Sequence, residues 1–176
     1  LKPENVFIAT THQRDRTLVV KVLDFGIAKI LAEARAAQRD TAVIGTLRWM
    51  APEQADSGGR VVPETDVWPY GLMAFLLLTG RPFWRNAAGD GGVMSMMREV
   101  LFDPIPPASA RAAELGVMRP LPLGFDPWFE RCLQRDALLR FADGAEAARA
   151  LDGLLAGASL PPAAASGQAT AAAFTP

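Results

Sequence analysis

Three side chains near the start of this chain could together hold a phosphate and a metal ion. Lys2 and Asn5 lie in LKPEN, just before an apolar run, and Asp24 follows a second such run in VLDFG. Lysine offers a mobile positive charge suited to phosphate, whereas an amide oxygen and a carboxylate are hard oxygen ligands of the kind Mg²⁺ prefers. Asn5 and Asp24 are 19 positions apart, so their convergence needs an element that folds the chain back on itself. Each residue also has a plain reading: a solvated lysine, an asparagine of a turn or cap, and a chance Asp-Phe-Gly triplet in a loop.

A hairpin would supply that element. NVFIAT is a short apolar run, THQRDR a polar turn region, and TLVVKVLDF a second run rich in β-branched residues. Pairing them antiparallel sets the beginning of the first strand beside the end of the second, and gathers Lys2, Asn5 and Asp24 at one end. From Gly26 to Pro52 no period is sustained, although AKILAEARAAQR consists of good helix formers, so a long functional loop is expected there. The central helix is expected from Asp66 to Leu78, with Asp66 as N-cap candidate, Pro69 in the first turn and TGRP as its stop. Further helices are expected from Gly91 or Gly92 to Leu101, ended by DPIPP, then over FDPWFERCLQRD and over FADGAEAARALDGLLAG.

The expected core includes Phe25, Trp68, Leu72, Phe75, Leu76, Trp128, Phe129, Cys132 and Leu133. Met94, Met96 and Met97 read as packing residues rather than a cofactor box. Residues 1–155 form one domain on this reading, and 156–176, mostly Ala, Pro and Ser, form a disordered linker.

Composition narrows the function classes. With 176 residues, half of them hydrophobic, the chain can build one domain with a real core. Eighteen basic against 19 acidic residues leave a formal net charge of −1, which gives no support to a nucleic-acid or anionic-lipid surface. Cys132 and His12 are the sole residues of their types, which argues against a disulfide framework, a Cys/His metal site or a Ser-His nucleophile and fits a reducing cytoplasmic setting. The longest apolar run, YGLMAFLLL from Tyr70 to Leu78, is about half a bilayer span and reads as a buried helix.

Taken in order, LKPEN, DFG, GTLRWMAPEQ, DVWPYG and CLQRDALLRF resemble the C-terminal lobe of a eukaryotic-type protein serine/threonine kinase, and VIGTLRWMAPEQ is similar to its bacterial members. The resemblance implies a mainly α-helical large lobe with a small antiparallel hairpin, without an N-terminal lobe. It implies Asn5 and Asp24 as ligands of the two Mg²⁺ ions that bridge the ATP phosphates, and Lys2 as the partner of the transferred γ-phosphoryl group. Phe7 matches the position beneath the adenine ring, a place equally consistent with plain core. Thr46 is similar to the activation-segment threonine that bonds the catalytic aspartate and lysine. Thr41, near Arg35, Arg39 and Arg48 in sequence, is a candidate phosphosite, although such threonines are often only solvated.

Glu53 and Arg140 would form a partly buried ion pair, Asp66 would accept backbone N–H groups of the catalytic loop, and Trp68 would pack in the core. Pro69 and Tyr70 depart from the small-then-aliphatic pair usual in the family, a change that a proline in the first turn tolerates. The family's catalytic aspartate would immediately precede Leu1. The glycine-rich loop, strand lysine, its helix glutamate partner and the adenine-binding hinge would lie earlier still. The glycines Gly89, Gly91 and Gly92 follow no strand and read as a turn rather than a replacement. Residues 1–176 alone are therefore expected to be an inactive lobe of an enzyme that phosphorylates protein Ser or Thr hydroxyls. The alternative is a non-catalytic kinase-like module that binds proteins.

Overall fold

The computed structural model describes residues 1–10, 18–23, 45–55, 58–88 and 91–157. Asp24, Phe25, Arg35, Arg39, Thr41, the stretch AKILAEARAAQR and the chain after Gly157 lie outside the described residues.

The hairpin forms from β1, Val6–Thr10, and β2, Leu18–Val22. They pair antiparallel with Val6 opposite Val22 and Thr10 opposite Leu18. Because side chains alternate along a strand, Val6, Ile8, Leu18, Val20 and Val22 share one face, and Phe7, Ala9, Val19 and Lys21 the other. The rest of the described fold is helical: α1, Pro52–Ala55; α2, Val67–Thr79; α3, Gly92–Leu101; α4, Ala108–Glu114; α5, Phe125–Cys132; and α6, Gly144–Gly157.

The central helix α2 is apolar nearly all round, as a helix enclosed by its neighbours must be. Trp68, Leu72 and Phe75 are buried along it, and Phe83 and Phe129 close over Phe75 with ring centroids 5.2 and 5.7 Å away. Gly80 ends the helix in the left-handed region at φ 69°, with its N–H donating to the Leu76 carbonyl at 2.7 Å. Leu76 departs from the expected core: it is only partly buried, because the last turn of α2 runs out to an exposed Gly80 and Arg81.

Asp66 does not cap α2 with its side chain. A 3₁₀ turn, Pro63–Asp66, runs directly into the helix, so Asp66 already has helical backbone and no capping geometry. Two helices also appear where none was expected. Pro52 opens α1, and Pro107, in the DPIPP stretch that reads as a helix stop, is the N-cap of α4. A missing N–H costs nothing where the first turn leaves its donors unpaired anyway. The last helix, α6, reaches Gly157, so the boundary expected after residue 155 falls within its final turn.

One close approach holds α2 against α5. A β-carbon built on Gly71 would stand 2.7 Å from Cys132 Cβ and 2.9 Å from Leu133 Cδ1. Cys132 is fully buried, and burial pushes its thiol pKa well above the ordinary range. Gly71→Ala should therefore force the two helices apart at a cost of about 1–3 kcal/mol. The lone cysteine reports it: thiol labelling of Cys132 in native buffer should be slow in the parent chain and many-fold faster in Gly71→Ala, tracking the stability lost in urea unfolding. Equal labelling rates and equal urea midpoints would remove Gly71 from the packing argument.

Candidate functional site

Lys2 stands at the entrance of a 3₁₀ turn, Pro3–Asn5, in extended backbone, and its carbonyl accepts the Asn5 N–H at 3.0 Å. Pro3 at the first turn position presets the backbone angle the turn needs. The Asn5 carbonyl in turn accepts the Leu23 N–H at 2.8 Å. This bond carries the ladder one step past Val6 and Val22 and closes the open end of the hairpin. Asn5 thus lies beside Leu23, whose next neighbour in the chain is Asp24. Phe7 sits opposite Lys21 and is half exposed, at 49%.

Thr46 lies in a helical turn, 45–47, and its carbonyl accepts the Trp49 N–H at 3.1 Å. The segment that follows is anchored to the core: Leu47, Trp49, Met50 and Ala51 are buried, and Trp84 Nε1 donates to the Arg48 carbonyl at 2.9 Å. The Arg48 side chain reaches Glu4 of the first turn, with Nη2 3.4 Å from Oε1. The Lys2–Asn5 turn and the Thr46 segment, 44 positions apart at Glu4 and Arg48, are thereby neighbours. Asp66 is exposed and accepts from the Leu1 nitrogen at 3.5 Å, the first residue of that same turn region.

Glu53 and Arg140, 87 positions apart, form a bidentate pair: Nη1 to Oε1 at 2.7 Å and Nη2 to Oε2 at 2.8 Å. Arg140 is fully enclosed and Glu53 retains 15% side-chain exposure. The remaining donors of Arg140 go to the carbonyls of Gln134, Glu64 and Arg135 at 2.6, 3.1 and 3.2 Å, and its guanidinium lies over the Trp68 ring at 5.2 Å. Burial alone would raise the Glu53 carboxyl. Hydrogen bonding to Arg140, to its own backbone N–H and to Thr65, with the Arg140 charge, outweighs that and holds the pKa below the ordinary value.

Sequence reasoning passed over three buried or anchoring polar residues. Glu99 is buried in α3 and accepts from the Arg85 and Asn86 N–H groups at 2.7 and 3.0 Å and from Asn86 Nδ2 at 3.0 Å. Arg111 is buried in α4 and donates to the Phe83 carbonyl at 2.6 Å. Arg135 donates to the Glu99, Val100 and Asp103 carbonyls at the end of α3. Local spacing does not mark these contacts, since each is made to groups distant in sequence, although Arg111 also pairs with Glu114 three residues on at 2.9 Å. A groove of about 560 Å³ lies against α5, lined by Pro106, Pro127, Leu133, Asp126, Glu130 and Arg135 among others. Its carboxylates repel phosphate and Arg135 is already engaged, so it does not compete with the Lys2–Asn5 turn as an anion site.

A helical lobe that carries a small hairpin at one edge, with ammonium and amide groups on the turn at the hairpin's open end and a Glu-Arg pair locking the segment after Thr46, has the architecture of a phosphotransferase large lobe. The family comparison agrees: the model for the protein kinase domain matches residues 1–141, and the chain belongs to that family. The chain is 38% identical over 108 residues to the serine/threonine-protein kinase PknB of Mycobacterium leprae, covering 61% of this chain and 16% of that protein. It is 34% identical to the serine/threonine-protein kinases drp72 of Corynebacterium efficiens, across the whole chain and 30% of the relative. To Pkn1 of Myxococcus xanthus it is 40% identical over 115 residues, 64% of the chain and 15% of that kinase. The chain thus spans about a sixth of the length of the PknB relatives.

Separating Glu53 from Arg140 leaves a buried charge unpaired, so Glu53→Gln and Arg140→Ala should each cost about 3–5 kcal/mol. A double-mutant cycle should give strong coupling rather than additivity. Because the folded pKa of Glu53 is lowered from 4.5, its contribution is present above that value and is lost as pH falls through the lower folded-state value. The gap in unfolding free energy between parent and Glu53→Gln should be constant near neutrality and shrink below about pH 4.5. A pH-independent gap would break the link.

Proposed function

We propose that this chain is the large lobe of a protein serine/threonine kinase, which transfers the γ-phosphoryl group of ATP to Ser or Thr hydroxyls of protein substrates. The observation that carries this reading is the Leu23 to Asn5 bond of 2.8 Å. It brings the residue preceding Asp24 against Asn5, on the turn that also bears Lys2.

The ligand chemistry fits a cation shared with phosphate. Among the described residues no three His, Cys, Asp or Glu side chains group to hold a metal alone. Mg²⁺ commonly takes one or two protein oxygens and completes its shell with phosphate and water, and Asn5 with Asp24 would supply such oxygens. Bound there, Mg²⁺ would neutralise phosphate charge. Lys2 would balance charge developing on the transferred group, Thr46 would help to hold the acceptor side of the site, and Phe7 would pack against the adenine ring. Thr41 is the proposed regulatory phosphosite. In the architecture, Glu53, Arg140 and Asp66 would keep the activation segment and the Lys2 turn in register.

Ile8, Leu18 and Val20 bear on the same proposal. They share one hairpin face and are 63–71% exposed, a contiguous apolar surface in need of a cover. A nucleotide and a small lobe preceding Leu1 would supply it. A second reading, a kinase-like module that binds proteins without catalysis, draws on the same surface, since a partner could cover it instead. No helix among the described residues is long and apolar enough to cross a membrane.

A phosphate-transfer assay separates the readings. Residues 1–176 alone should be inactive, because charge interactions are weak in an open, hydrated site and the phosphoryl is not held in line. Protein extended to include the sequence before Leu1 should phosphorylate Ser or Thr, and Asp24→Asn in that protein should lower transfer on the order of a hundredfold. Transfer by residues 1–176 alone would refute the need for a second lobe. An extended, folded protein that transfers nothing to any substrate would favour the binding module.

A further inference from the structure

Two arginines near the site are used in opposite ways. Arg140 commits every N–H donor of its guanidinium to protein acceptors and is fully enclosed. Arg48 commits little. Among the described residues its side chain has one hydrogen bond, the 3.4 Å contact to Glu4, and its buried Nε has no partner. The ion pair is loose: the two side chains are 28% and 54% exposed.

The backbone beneath Arg48 is nevertheless fixed. Its neighbours Leu47, Trp49, Met50 and Ala51 are buried, and Trp84 clamps its carbonyl. The Trp49 ring lies 5.4 Å from the guanidinium carbon and covers one of its sides. A guanidinium on a rigid base with spare donors is preorganised for a planar oxyanion, since little conformational freedom is left to lose on binding.

Its location supplies the ligand. Glu4 stands between Lys2 and Asn5, so Arg48 is one side chain removed from the turn proposed to meet the transferred phosphoryl group. Resting on that reading, we infer that Arg48 recognises a carboxylate of the protein substrate, an Asp or Glu close in sequence to the acceptor hydroxyl, and that Glu4 is the internal competitor for it. An incoming carboxylate takes the outer Nη1 and Nη2 edge in bidentate fashion and displaces the single Glu4 contact, while the buried Nε stays behind it. The exchange of one carboxylate for another never strands the guanidinium. A basic side chain at the same place meets like charge, which supplies the discrimination.

The test uses the full-length protein that carries this chain, with Arg48→Glu, Arg48→Lys and Glu4→Gln variants, and two Ser peptides that differ only in Glu or Lys beside the acceptor. Fluorescence anisotropy measures peptide binding and a coupled assay measures transfer. The parent should favour the Glu peptide, and Arg48→Glu should reverse the preference, moving the ratio of affinities by about tenfold or more. Arg48→Lys should keep its sign and reduce its size, because the fork is lost but the charge remains. Glu4→Gln should tighten binding of the Glu peptide, seen in KM more than in kcat.

Equal binding of the two peptides by the parent, or a preference that survives Arg48→Glu in a folded protein, overturns the inference. Should Arg48→Glu fail to fold, Arg48→Lys and Glu4→Gln decide, and no change in selectivity in either overturns it. A charge preference in binding without any transfer would support the Arg48 assignment while failing the kinase reading. Transfer without charge preference does the reverse.

Discussion

The fold turns on the pairing of Arg140 with Glu53. A guanidinium with no solvent exposure needs a partner for its charge and an acceptor for each N–H. Arg140 finds both by drawing together four separate parts of the chain: α1 through Glu53, the turn before the central helix through Glu64, the end of α5 through Gln134 and Arg135, and Trp68 through its ring. Shifting any of the first three would leave a buried donor unsatisfied. The late helix-loop region and the segment after Thr46 therefore behave as one unit.

Aromatic packing completes that unit. Phe75, Phe83, Phe125, Phe129 and Trp128 form a chain of ring contacts with centroids 4.8–5.8 Å apart, in tilted, edge and stacked arrangements. Trp68 and Trp84 stack beside it at 6.0 Å. Trp84 also clamps the Arg48 carbonyl, so the packing that stabilises the lobe positions the segment facing the Lys2–Asn5 turn. The hairpin is different in kind. Among the described residues, the two strands, with an exposed apolar face, are held by their own ladder and the Asn5 to Leu23 closure. The rigid part of the site is thus on the helical side, and the part that would contact nucleotide is the part most in need of a partner.

Much of the helical plan was legible because it rests on local signals. The central helix carries its own stop at Gly80, and α3, α5 and α6 carry apolar spacing that only a helix can use. The hairpin was legible from β-branched runs around a polar turn. Helices α1 and α4 were not, because proline has no single local meaning: the same ring that ends one helix begins the next. Asp66 stands at the expected N-cap position, but its side chain makes no cap bond, for a related reason. Its suitability as a cap depends on whether the preceding residues are already helical, and they are.

The order of motifs in the chain determined the family and the contact partners Glu53 and Arg140. Composition alone disfavoured a disulfide scaffold, a Cys/His metal site and a basic nucleic-acid surface. Tertiary structure decided what each arginine does. Arg48, Arg111, Arg135 and Arg140 are identical in chemistry, yet one serves a carboxylate inside the core, two hold backbone carbonyls of other elements, and one is left at the rim with donors to spare. The physical reason is that a guanidinium's role is set by which acceptors surround it and how much water remains. Both are properties of residues brought together from far along the chain, which no local pattern records.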